Sequence, residues 1–178
     1  MDRFTLKPGD ALLFTKESTA GVYTYFAEKN KPLADLLAKL VNHNYIHAEL
    51  YLGNGWVIAG WFNGVKLYKP SLQLLSTVHI YRPPIEVDKD KLKESVKKYF
   101  NYEYDWVSLI LNGLPEIISF GNEQIEKIVE DWVNYSDDQK LICSELIARI
   151  YEDLGYKIEP RPEFVTPDDI AERFQRIL

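Results

Sequence analysis

The chain has one cysteine, one methionine and three histidines among 178 residues. A single cysteine excludes an internal disulfide framework and any cysteine-rich zinc site. There is no basic excess either. Asp and Glu number 27 against 21 Lys and Arg, a formal charge of −6, and recognition of a phosphate backbone needs the opposite sign, so no nucleic-acid partner is expected. No apolar run approaches the roughly 18 residues that a membrane span requires. The richest stretch, Trp106 to Phe120, is broken by Ser108, Asn112, Gly113, Pro115 and Glu116. The first ten residues carry no apolar leader. Stable membrane insertion is therefore not expected, and a cytoplasmic location is. Oligomeric state is not legible.

What is present suits one folded domain. With 46% hydrophobic residues and no repeat or low-complexity linker, residues 1–178 are expected to form a single core. Residues 1–84 read mostly as strands. Ala11 to Phe14 follows a Pro8-Gly9-Asp10 turn. A helix is expected from Pro32 to Val41, with Leu33, Leu36, Leu37 and Leu40 on one face. Tyr45 to Leu52, the Gly53-Asn54-Gly55 loop and Trp56 to Gly60 form a hairpin pattern, and Val65 to Tyr68 and Val78 to Arg82 are further strands.

Residues 85–178 read mostly as helices. One opens at Val87-Asp88 and runs to about Phe100; Trp106 to Leu111 and Glu123 to Val133 are shorter candidates. Leu141 to Leu154 is the clearest, with Leu146, Ile147, Ile150, Tyr151 and Leu154 on one face and Gly155 as its stop. Thr166 and Pro167 suit the N-cap and first position of a last helix. Strands early and helices late predict an α+β fold, an antiparallel sheet packed with helices.

Cys143 lies near the start of the clearest helix. A thiol becomes a nucleophile when a helix N-terminus, a cation or a general base favours its thiolate. A Ser136-x-x-Gln139 capping box would put Cys143 in the second turn; an extended Leu141-Ile142 would put it in the first. The bland alternative is an inert buried cysteine. Of the histidines, His79 has no polar company along the sequence and His43 sits in an Asn-rich turn. His47 alternates with Glu49 and Tyr51 on one strand face, while Ala48, Leu50 and Leu52 take the other. His and Glu side by side on a strand suit a base with its orienting carboxylate. A solvent-facing edge strand is the alternative. A metal site built from His43, His47 and Glu49 is the weaker reading, because His43 and His47 are not joined by a helix, so no metal and no cofactor are expected.

His47-Ala-Glu-Leu-Tyr-Leu-Gly-Asn-Gly-Trp-Val-Ile resembles the histidine strand of the NlpC-type papain-like cysteine hydrolases, and Ile142-Cys-Ser-Glu-Leu-Ile resembles the start of their nucleophile helix. Here the histidine precedes the cysteine. That order resembles the circularly permuted branch, which holds the YaeF/YiiX-like proteins and the lecithin retinol acyltransferase-like enzymes. Pro8-Gly9-Asp10, Tyr104-Asp105-Trp106 and Thr166-Pro167-Asp168-Asp169 are similar to other segments of the YiiX-like group in the same order.

The resemblance implies a permuted papain-like sheet or partial barrel with helices. It also implies cysteine hydrolase chemistry with Cys143 as nucleophile, His47 as base and Tyr104 as a substrate or support residue. The substrate would be a small peptide, an amide or a lipid acyl group. The alternatives are an acyltransferase or thioesterase on the same site and a non-catalytic binding protein.

The sequence departs from this group at Ala59, where its members usually carry a polar residue, often His or Glu. If the hairpin has a three-residue loop, Leu52 pairs with Trp56 and Glu49 faces Ala59, so its carboxylate can occupy the vacated space. A two-residue turn puts Glu49 opposite Gly60 instead. Asn63 is the other candidate for orienting the imidazole.

Overall fold

The hairpin that carries His47 organises the sheet. Strand β2, His47–Gly53, turns back into β3, Trp56–Trp61, through Asn54 and Gly55, which have φ of 52° and 80°. Two successive left-handed residues match the twist of the flanking strands. Gly53 pairs with Trp56, so the turn is the two-residue one. A bulge between Tyr51 and Gly53 absorbs one residue, and Glu49 still faces Ala59.

The computed structural model describes residues 6–15, 44–61, 64–70, 78–104 and 140–178. The helices expected at 32–41, 106–111 and 123–133 and the Ser136-x-x-Gln139 box lie outside them. Strand β1 is Ala11–Phe14, β4 is Gly64–Tyr68 and β5 is His79–Arg82. Helix α1, Lys89–Tyr99, starts at Asp88, whose carboxylate accepts from the N–H groups of Asp90 and Lys91. Two-residue strands β6, Glu103–Tyr104, and β7, Lys140–Leu141, pair in parallel. Helix α2 is Cys143–Asp153 and α3 is Pro167–Arg173, followed by β8, Gln175–Arg176. Among the described residues this is an α+β fold: a six-stranded sheet in the order β4-β3-β2-β1-β5-β8, antiparallel throughout, with three helices.

Both faces of the sheet are buried. Leu13, Ala48, Leu50, Ile58 and Val65 pack with Leu146, Ile147 and Ile150 of α2 and with Leu92 and Val96 of α1. Leu12, Phe14, Val57, Val78 and Ile80 form a second cluster on the opposite face. Helix α3 opens with a full capping box, Thr166 and Asp169 bonding each other's backbone N–H, with Pro167 in the first turn as expected. The Asp168 carboxylate accepts from the N–H groups of Asn44 and Tyr45, which ties α3 to the entry of β2. No described helix is long and apolar enough to cross a membrane.

One expectation is corrected: Leu141 is not helical but the last residue of β7, because its backbone pairs with Tyr104. Three two-residue strands, β6, β7 and β8, accompany the helices of the second half. The face carrying His47 and Glu49 is not the solvent face of an edge strand, since β2 lies inside the sheet and Glu49 is fully buried.

Candidate active site

With Leu141 extended and Ile142 as N-cap, Cys143 is the first residue of α2. That puts the sulfur at the positive end of the helix, where a thiolate is favoured. No side chain caps Ile142, so no capping side chain occupies the first-turn N–H groups. His47 opens β2 and Trp61 closes β3, so both stand at one end of the sheet. Helix α2 begins at that same end, its Cys143 backbone against Gly60 of β3.

Cys143 is 5% exposed, and its thiol interacts electrostatically with the His47 imidazole. The imidazole lies between two rings, with Phe14 at 5.3 Å and Trp61 at 4.9 Å between centroids. Its Nε2 is 3.3 Å from Glu49 Oε1, with side-chain exposures of 14% and 0%. Nε2 has no hydrogen-bond partner, so its contact with the carboxylate is electrostatic rather than a hydrogen bond. Tyr68 of β4 donates its hydroxyl hydrogen bond to the same Oε1, while Oε2 is buried without a hydrogen-bond partner.

The electrostatics follow from this arrangement. Burial pushes the Cys143 thiol up, but the charge of His47, its hydrogen bond and the backbone hydrogen bonds from Ala48 and Ser144 outweigh it, and the thiol ends below its ordinary 9.0. Burial likewise disfavours a charged His47, but the Cys143 thiolate and then Glu49 hold its proton well above the ordinary 6.5. Burial and then the Glu49 charge keep the Tyr68 phenol protonated far above its usual range. The Cys143 thiol, the His47 imidazole and the buried Glu49 side chain stand together. This arrangement can deliver a nucleophile and a proton to one reacting centre.

Of the residues expected from sequence, the structure brings Cys143, His47 and Glu49 together. Tyr104 is in β6 with its backbone paired to Leu141, two residues before Cys143; its side chain is outside what is described. Asn63 and His43 also lie outside the described residues. Among those residues no cluster of three His, Cys, Asp or Glu side chains is placed to hold a metal. Trp56 is exposed and Trp61 stands against His47. His79, expected to lack polar company, has the Tyr45 hydroxyl 2.7 Å from Nδ1. It is apart from the cysteine, in a cluster with Tyr81. Tyr68 was not anticipated. Its place at the end of a short strand carried no chemical signature, and only the sheet order puts it near Glu49. No protein-family model matches the chain, and no curated protein matches it.

Proposed function

We propose that the protein is a papain-like cysteine hydrolase of the permuted, NlpC-like type, acting on an amide or ester through an acyl-enzyme at Cys143. The observation that carries this is the His47 imidazole, which interacts both with the Cys143 thiol and with the buried Glu49 carboxyl group. The Cys143 thiolate attacks the carbonyl carbon and forms a C–S bond. The carbonyl C–N or C–O bond then breaks, and His47 gives its proton to the departing nitrogen or oxygen. Water, deprotonated by His47, attacks the thioester, the C–S bond breaks to release the acid, and the thiolate and protonated His47 are restored. First-turn N–H groups of α2 stabilise the tetrahedral oxyanion. Glu49 orients the imidazole, and Tyr104 supports the nucleophile segment through its pairing with Leu141. The substrate class is a small peptide, an amide or a lipid acyl group. An acceptor other than water makes the same site an acyltransferase.

The test is trapping. The protein is incubated with p-nitrophenyl acetate, quenched in acid and digested for mass spectrometry. One acetyl group on the Cys143 peptide, absent in Cys143→Ser and slow to form in His47→Ala, supports the reading. An unmodified Cys143 peptide while nitrophenol is released elsewhere contradicts it.

A further inference from the structure

Glu49 Oε1 has two polar neighbours: His47 Nε2 at 3.3 Å and the Tyr68 hydroxyl, which donates to it. They come from opposite directions. His47 is on the glutamate's own strand, and Tyr68 is on β4, two strands away. The register explains how they meet. Glu49 faces Ala59, Ala59 faces Lys66, and Tyr68 faces Val57. Glu49, Val57, Ala59, Lys66 and Tyr68 therefore stand on one face. A carboxylate on β2 and a phenol on β4 can touch above β3 only where that strand presents a small side chain, and Ala59 is that residue. A larger one would fill the gap.

The other oxygen, Oε2, is buried without a hydrogen-bond partner, so the phenol is the donor that fixes which oxygen points at His47. The Trp61 ring lies 4.9 Å from the imidazole and 6.1 Å from the Tyr68 ring, and covers the pair.

We propose that Tyr68 is a positioning residue for the Cys143–His47 pair: by reaching over Ala59 to hold Glu49 Oε1, it keeps that oxygen aimed at the His47 imidazole. The alanine at position 59 is then not a lost orienter but the space in which a carboxylate and a phenol replace one. The proposal rests on the reading of Cys143 and His47 as the reacting pair. The groups facing His47 are Cys143 from α2, Glu49 from its own strand, Phe14 from β1 and Trp61 from β3. Its titration therefore reports on the thiol and on Glu49, and Tyr68 acts on it through Glu49.

The experiment is the rate of alkylation of Cys143 in the full chain by iodoacetamide, which forms a C–S bond and releases iodide, followed across pH. The wild-type profile has an acid step, where the thiolate forms beside the imidazolium, and an alkaline step, where His47 loses its proton. Tyr68→Phe is expected to lower the alkaline step by about one pH unit, a roughly tenfold loss of imidazolium on that side. Glu49→Gln lowers it at least as far. The double variant goes no further than Glu49→Gln, because the phenol acts through the carboxylate. Ala59→Val, which keeps both groups but crowds the space between them, shifts the step in the same direction.

An alkaline step unmoved in folded Tyr68→Phe and Ala59→Val, or strictly additive shifts in the double variant, overturns the proposal while leaving the Cys143–His47 pair standing. A wild-type profile with one step near the ordinary thiol value, unchanged in His47→Ala, overturns the pair itself and the proposal with it.

Discussion

The backbone of Gly60 lies directly against that of Cys143: a methyl group on Gly60 would stand 3.2 Å from both the nitrogen and the Cα of Cys143. The strand and the helix start are packed without room for a side chain. Gly60→Ala is expected to push the first turn of α2 away from β3 and separate the thiol from His47. The overpacking costs about 1–3 kcal/mol in urea unfolding, and Cys143 alkylation at acidic pH slows with it. Wild-type stability and reactivity in this variant would show that the contact does not set the thiol's place.

Much of this arrangement was legible in the sequence. The alternation of His47, Glu49 and Tyr51 gave the strand face, and the Asn54-Gly55 turn gave the hairpin. The pairing of Glu49 with Ala59 was expected from a longer loop. It arises instead from a tight turn plus a bulge, a combination that no residue pattern announces. Leu141 and Tyr104 form their strands by pairing across 37 positions, and two residues are too few for any period to show. The link from Tyr68 to Glu49 was hidden because strand order is a tertiary property.

The stability of the ion pair has a defined pH window. His47 has its folded value raised above the ordinary 6.5, so its contribution is full below 6.5 and is lost as pH rises through the folded value. Cys143 has its folded value lowered below the ordinary 9.0, so its contribution is full above 9.0 and is lost as pH falls through the folded value. Together they predict a maximum between 6.5 and 9.0. The urea midpoint of the wild type, measured against a His47→Gln/Cys143→Ser double variant, should peak in that interval and decline on both sides. A difference that is flat from acid to alkaline pH contradicts the ion pair.

Away from the site, Asp10 is 1% exposed and takes two hydrogen bonds from Arg82, at 2.9 and 2.8 Å, and one from the Lys7 N–H at 2.7 Å. Arg82→Gln leaves the buried carboxylate without its cation and is expected to cost about 3 kcal/mol, measured by urea unfolding. The steps of the Cys143 alkylation profile should not move. A large shift of either step would mean that this pair acts on the site.

The capping box of α3 supplies a smaller effect. Thr166→Ala removes the side-chain acceptor for the Asp169 N–H and is expected to cost about 1 kcal/mol. Because Asp168 in the same turn holds the entry of β2, hydrogen exchange at the Tyr45 amide should quicken in this variant. Unchanged exchange there would separate the cap from the strand.

The central claim is that His47 makes Cys143 a thiolate, and the rate of Cys143 alkylation at pH 5–6 tests it most directly. The wild type is predicted to react there much faster than a thiol with the ordinary value of 9.0 would. His47→Ala is predicted to react only as pH approaches that ordinary value. A wild type that is inert below neutral pH, or one whose profile His47→Ala leaves unchanged, would contradict the account.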